Sequence, residues 1–310
     1  MDRPAHPGPR VAVSIEGTRS YGVGLARAVT AADLLVIECE QPHRKQRRGT
    51  SKSDPIDAHF AVLTALGLDA DRLPTPRADG DREALRIVLS ARNELTATTT
   101  GQSNRLRALL LGGDDTDRQT ARGALPDATL ASLARRRRPR DASREQAVRQ
   151  AEIRRLALAL REAGRALKAN RTQLQAIVDD LVPGLINQRG IGPVSAAQAI
   201  VSFSDPRRCR HDAAFAALAA TSPLQASSGR TVGHRLNRGG DRALNRAIHT
   251  IALTRMRSCP QTRAYVARRT AQGKTPREIR RCLKALHRPP ALPSPHHRDD
   301  LSSTPRPSQA

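Results

Sequence analysis

Aromatic side chains are almost missing from this 310-residue chain: three Phe, two Tyr and no Trp, 2% of the residues. Proteins that grip single strands by stacking bases need several exposed rings, so the composition argues against that class. Cysteine is nearly as scarce. Cys39, Cys209, Cys259 and Cys282 stand far apart, with no Cys-x-x-Cys and no histidine pairing, which argues against zinc and for reduced thiols in an intracellular setting. No apolar run reaches membrane-spanning length and no signal-peptide pattern opens the chain. A cytoplasmic protein with no membrane partner is expected. Acidic residues are short as well: 29 Asp and Glu face 53 Lys and Arg, a formal charge of +24. A polyanion is the natural partner of such a chain. Nearly all of the positive charge is arginine, which forks onto phosphates and guanine edges better than lysine does.

What is present reads as α/β followed by α. Residues 1–10 carry three prolines and no periodicity, a disordered lead-in. Val11–Ile15 reads as a buried strand, Val23–Ala32 as a helix and Leu34–Cys39 as a second strand, together a βαβ unit with parallel strands. Pro55–Leu66 is the next helix, and Pro74 and Pro76 break the chain before Gly80, closing a first domain at 11–80.

Residues 81–182 hold two long helices. In the first, Leu85, Val88, Leu95, Leu106 and Leu109 recur at helical spacing until Gly112-Gly113 stops it. A looser stretch with Pro126 and the run Arg135–Arg138 follows. The second, from about Ser143 to Leu181, carries a heptad: Leu156, Ala163, Asn170 and Ile177 at one seam position, with Ile153, Leu160, Leu167, Leu174 and Leu181 at the other. This predicts a coiled-coil stalk, folded back on the earlier helix or shared between subunits. The shared form, and with it a homo-oligomer, is the expectation.

A helical C-terminal domain spans 183–286. Gly190-Ile-Gly-Pro193 before an apolar helix looks like a helix-hairpin-helix turn, in which Gly190 and Gly192 would let backbone N–H groups approach a phosphate; an ordinary turn between helices is the other reading. His211–Ala220 is an Ala-rich helix, and Thr221–Gly240 a loop loaded with Ser, Gly and Arg. Asp241 caps a further helix, and Thr275-Pro-Arg-Glu278 is a capping box. Residues 287–310 turn to Pro, His and Ser, a disordered tail.

Glu16 ends the first strand, at the edge where α/β folds place their chemistry. Asp54 and Asp57 lie three apart at a helix start, so both carboxylates leave one face. Three such oxygen donors suit Mg²⁺, which could activate one oxygen and stabilise another in a phosphodiester displacement. Asp54 before Pro55 is also what an N-cap looks like, with Asp57 as the acid of a capping box, and spacing alone favours that reading. The neighbourhood favours the metal: Arg44, Lys45, Arg47, Arg48 and Lys52 place a dense positive cluster beside the carboxylates, as an enzyme cutting nucleic acid would need.

Four motifs occur in order: Ile15-Glu-Gly-Thr-Arg-Ser-Tyr-Gly22, Lys52-Ser-Asp-Pro-Ile-Asp-Ala58, Arg189-Gly-Ile-Gly-Pro-Val-Ser-Ala196, and Ser227-Ser-Gly-Arg-Thr231 with Leu236-Asn-Arg-Gly-Gly240. Together they resemble the DEDD-type insertion-sequence transposases, recombinases guided by a structured bridge RNA and related to the pilin-gene invertase. The resemblance covers roughly residues 11–286. It implies a partial RNase H-like domain with a carboxylate metal site, a coiled coil, and a C-terminal domain carrying an essential serine. By similarity Glu16 is the second carboxylate and Asp54 and Asp57 the third and fourth. Ser227, with Ser228 as the alternative, matches the serine that attacks a DNA phosphate, while Arg230, Arg235 and Arg238 supply nearby positive charge. DNA, a structured guide RNA and further copies of the chain are the implied partners.

The family's first carboxylate lies on a strand ahead of the Glu-Gly-Thr motif. Here only ten Pro-rich residues stand there, and Asp2 does not replace it. A truncated copy, or a start placed too late, is therefore expected. Two other readings stay open: a non-catalytic DNA- or RNA-binding remnant, and a junction-resolving nuclease with no serine step.

Overall fold

In the computed structural model, which describes residues 11–39, 54–69, 73–137, 141–203, 209, 212–222, 224–225, 234–235, 237 and 239–285, the two apolar runs near the start pair as parallel strands. β1 (Ala12–Glu16) and β2 (Leu35–Cys39) run in register from Ala12 opposite Leu35 to Glu16 opposite Cys39. Helix α1 (Val23–Ala31) links them and α2 (Asp54–Leu66) follows. Side chains alternate between the two faces of a strand. Ile15 and Val36 accordingly pack with Ala26 of α1, whereas Ile37 and Cys39 pack with Ala61 and Ala65 of α2. The small sheet thus carries one helix on each face.

The turn after β1 folds back onto the strand end. Gly17 takes φ +69 and its carbonyl accepts from the N–H groups of Ser20 and Gly22. A Cβ on Gly22 would sit 2.8 Å from the Glu16 carbonyl oxygen, so no larger residue fits there.

The described residues form two compact units: those up to Ala84 with Phe203 and Cys209, and the remaining, mostly helical ones. In that second unit α3 (Gly80–Leu111, from Leu85 onward) and α6 (Arg144–Leu181) are the long helices. The stretch between them is not loose. It holds α4 (Asp115–Arg122), capped by Asp114, and α5 (Asp127–Arg135), which follows Pro126. Helices of two turns are too short to show a period, but Ala121, Leu130, Leu133 and Ala134 bury themselves against Leu106 and Leu110 of α3 and Ile153, Leu156, Ala157 and Leu160 of α6. Burial, not propensity, makes them helical.

The heptad positions of α6 are buried or half-buried, and the structure fills the seam from within the chain. Asn170 donates to the Val88 carbonyl of α3 at 2.8 Å, and Arg92 of α3 donates to the Leu167 carbonyl. Residues 88–92 meet 167–170 while Leu106 and Leu110 meet 153–160, so α3 and α6 are antiparallel. The expectation of a seam shared between subunits gives way here to the folded-back form.

After a left-handed Gly184 and a short 3₁₀ turn (Leu185–Asn187) come α7 (Pro193–Phe203) and α8 (Asp212–Leu218). The Ser/Gly/Arg stretch, read as a plain loop, contains a two-residue antiparallel ladder: β3 (Leu224–Gln225) pairs with β4 (His234–Arg235). The chain ends in α9 (Arg242–Ser258), α10 (Pro260–Ala271) and α11 (Pro276–Ala285), closed around Ala252, Ile279 and Leu283. The lead-in 1–10 and the tail 287–310 lie outside the described residues. No helix among the described residues is long and apolar enough to cross a membrane.

Candidate active site

Glu16 is half-buried at the last position of β1. Residues in register on parallel strands point to one face, so Glu16 shares a face with Cys39. That face belongs to α2, because the Cys39 thiol donates to the Ala61 carbonyl at 3.2 Å. Burial pushes the Cys39 thiol up, a hydrogen bond with Ser14 pulls it back, and the charges of Glu16 and Glu38 add to the rise. The Glu16 carboxylate is therefore close enough to be felt at Cys39.

Ala65 joins Ile37 in the same apolar cluster as Cys39 and Ala61, so α2 runs back over the sheet from its first turn. Asp57 precedes Ala61 by one turn, about 6 Å along the axis. It shares that face, half-buried, with its Oδ1 sealed from solvent. Asp54, at the first position of α2, is exposed. Side chains on a helix lean toward its N-terminus, which carries both carboxylates toward the strand ends where Glu16 sits. Glu16 and Asp57 share one edge, and Asp54 stands on its rim.

All three are hard oxygen donors, the chemistry Mg²⁺ takes. Among the described residues, however, no three His, Cys, Asp or Glu side chains close on a single point. Donor type and edge fit a divalent cation; the spacing is wider than a coordination shell.

A second acidic group on the sheet escaped the sequence reading. Glu38, only 5% exposed in β2, accepts from the backbone N–H of Arg77 at 3.0 Å and from the Arg77 guanidinium through Nε at 3.0 Å and Nη2 at 2.5 Å. Arg19 reaches it at 3.6 Å, and the Thr18 hydroxyl lies beside it. Burial alone would raise this carboxyl, but the bonds and charge of Arg77, then Thr18 and Arg19, hold it below its ordinary value. Burial, then Arg77 and Arg19, pull the neighbouring Arg82 down to about 10. The one signal in the sequence was an acid within an otherwise apolar strand, Leu-Val-Ile-Glu-Cys.

In the C-terminal unit the base of the β3–β4 hairpin is tightly built. The Asp241 N–H donates to the Leu218 carbonyl at 2.7 Å. A Cβ on Gly240 would come within 2.6 Å of the Ala220 nitrogen and the Leu218 oxygen. From α9, Asn245 donates to the carbonyls of Ala219 and Ala220 at 2.7 and 3.1 Å, while its own oxygen accepts from Lys284 of α11. Burial lowers the Lys284 ammonium. Nothing in the local sequence announces Asn245 or Lys284 as a clamp. Ser227, Ser228, Arg230 and Arg238 lie outside the described residues; Arg235 contributes its backbone to β4. Arg44, Lys45, Arg47, Arg48 and Lys52 also lie outside them.

The Gly190-Ile-Gly turn has its own local explanation. Gly190 takes φ +91, and a Cβ there would lie 2.6 Å from Arg255 Cγ and 3.2 Å from the Ile251 carbonyl oxygen of α9. The Gly192 N–H, expected to face a phosphate, donates to the Ser195 hydroxyl at 3.0 Å, and Arg189 donates to the Ser258 carbonyl. Gly190 thus serves close packing on α9, whereas a Cβ on Gly192 would meet open space.

Comparison with known proteins adds to this geometry. A transposase sequence profile of the IS110 DEDD type matches residues 3–113, which include Glu16, Asp54 and Asp57. A second profile, described as Transposase IS116/IS110/IS902 family, matches residues 185–267, which include Gly190, Gly192, Ser227 and the hairpin. Both regions match transposases of the IS110 type. The "Insertion element IS110 uncharacterized 43.6 kDa protein" of Streptomyces coelicolor is 35% identical over 120 residues, 38% of this chain and 29% of that relative's length. The two matched regions include the carboxylate edge and the β3–β4 ladder, and α11 with its Lys284 falls beyond both.

Proposed function

We propose that this chain is a DNA transposase or site-specific recombinase in which Glu16, Asp54 and Asp57 hold Mg²⁺ on a partial RNase H-like domain and Ser227 is the nucleophile. The observation that carries the reading is the placement of Glu16 and the first turn of α2 at one strand edge, inside the region matched by the DEDD transposase profile. When bound, the metal would stabilise negative charge building on phosphate oxygens.

The Ser227 hydroxyl oxygen bonds to phosphorus as the bond to one deoxyribose oxygen breaks; the serine proton leaves to solvent and the departing oxygen takes one up. Attack by a deoxyribose hydroxyl on the phosphoserine reverses the step and frees the serine. Gly240, Asn245 and Lys284 hold the chain on either side of the segment that contains Ser227: the end of α8 and the start of α9. A structured guide RNA, a homo-oligomer that brings carboxylates and serine together, and a cytoplasmic setting complete the reading, as the family resemblance implies.

The test is a covalent protein–DNA adduct on a denaturing gel, formed with Mg²⁺ and labelled donor DNA. Ser227→Ala and Asp57→Asn should each abolish it. An adduct that persists in Ser227→Ala removes the serine from the mechanism, and Ser228→Ala then decides between the two hydroxyls. A second reading, a nucleic-acid-binding protein without chemistry, is favoured by the open spacing of the carboxylates; it expects no adduct from any variant.

A further inference from the structure

The last three helices are chemically unlike α4 and α6. Between Asp241 and Ala285 stand twelve arginines and lysines against two carboxylates. Both carboxylates are committed to helix starts: Asp241 accepts from the N–H groups of Ala243 and Leu244, and Glu278 closes the capping box with Thr275. None of the twelve cations forms an ion pair among the described residues, and eight of them are exposed. Elsewhere the chain behaves differently. On α4 and α6, Arg118, Arg155, Arg161 and Arg165 pair with Asp115, Glu152, Asp127 and Glu162.

Unpaired like charges on one small unit repel, and a folded chain keeps them only at a cost unless a polyanion meets them. Two further observations bear on the kind of partner. The guanidiniums of Arg268 and Arg269 lie 5.5 and 5.8 Å from the centre of the Tyr265 ring, which limits the orientations they can take. Tyr265 is itself half-buried against Ile279 and Leu283, so the unit offers no open ring on which an unpaired base could stack. Arg277 and Arg281 are exposed one turn apart on α11, a helix that lies outside both family matches. His249 is held below its ordinary value by burial, then by Lys284 and Arg280, a local sign of the same positive field.

The geometry points to the exposed arginines of α10 and α11 as contacts for the phosphate backbone of duplex DNA, independent of base sequence. They are Arg263, Arg268, Arg277 and Arg281. The choice of DNA as the polyanion rests on the transposase reading above; the exposed charges themselves do not.

The experiment measures the affinity of the full chain for a duplex of arbitrary sequence by fluorescence anisotropy across a salt series. Each phosphate contact contributes about 0.9 to the slope of log K against log salt. Changing Arg263, Arg268, Arg277 and Arg281 together to Gln should flatten the slope by about 3.6 and weaken binding on the order of a thousandfold at about 0.15 M salt. Changing Arg118, Arg155, Arg161 and Arg165 to Gln removes the same formal charge and should leave the slope as it was. If circular dichroism shows that the first variant has lost helix, the matching Arg→Lys set keeps the charge and should keep the slope. An unchanged slope in the α10–α11 variant, an equal loss in the α4–α6 variant, or tighter binding to a single strand of the same length would overturn the proposal. Asp57→Asn separates the two claims: it should lose the covalent adduct and keep the salt slope.

Discussion

Replacing Glu38 by Ala is the sharpest test of how the small sheet is held. The carboxylate is 5% exposed and its main partner Arg77 has a side chain 13% exposed, so removing Glu38 takes from a largely buried guanidinium the carboxylate that accepts its Nε and Nη2 bonds. Breaking a buried ion pair from one side costs about 3–5 kcal/mol, because the desolvated partner keeps its penalty and loses its compensation. Gln keeps an acceptor but not the charge, and the charge-assisted bonds it forfeits are worth about 1.5–3 kcal/mol. For a unit of this size each kcal/mol moves the midpoint by about 4–8 °C, so Glu38→Gln should melt the sheet well below the parent. Amide exchange at β1 and β2 is the assay, since it reports this unit apart from the long helices.

The pH dependence has a definite sign. The folded carboxyl lies below its unfolded value, so its contribution is complete above that unfolded value, about 4.3, and is lost as pH falls through the folded one. Relative to the parent, Glu38→Gln should therefore show its full and constant deficit between pH 6 and 8, a deficit that shrinks as pH falls below about 4. Combined with Arg77→Met, the double change should cost less than the sum of the singles. Strand amides that exchange at the parent rate in Glu38→Ala, or strict additivity with Arg77→Met, would refute the reasoning.

Two further expectations follow from the same kind of contact. Gly240→Ala forces a Cβ to within 2.6 Å of backbone atoms that cannot step aside, and should destabilise by about 1–3 kcal/mol, read as faster amide exchange at Ala219–Thr221. Asn170→Ala removes the bond to the Val88 carbonyl and should cost about 1 kcal/mol in denaturant. The midpoint of that transition should not vary with protein concentration, because the seam is filled within one chain.

Much of the candidate site could be read before folding was considered. The strand ending in Glu16, the helix opening at Asp54, the capping box at Thr275 and the heptad of α6 are all local patterns, set by periods of two or 3.6 residues and by the demands of helix ends. Four ordered motifs then supplied the family. What escaped were interactions between distant segments: Glu38 with Arg77, Asn245 with the end of α8, and Arg92 with α6. The short helices α4 and α5 escaped for a related reason, since eight or nine residues carry too few periods to stand out.

The amino-acid order alone therefore determined the kind of protein: a basic, ring-poor chain whose acidic and serine motifs fall in the sequence of a transposase. Tertiary structure decided where each charge ends up. It sealed Glu38 among arginines, gave α6 an antiparallel partner in its own chain, pressed Gly190 and Gly240 against neighbouring helices, and left the cations of α9–α11 without carboxylate partners among the described residues. The reason is physical. Local patterns depend on neighbours a few residues away, whereas the cost of burying a charge or admitting a Cβ depends on whatever the fold brings within a few ångströms, which no stretch of the chain contains by itself.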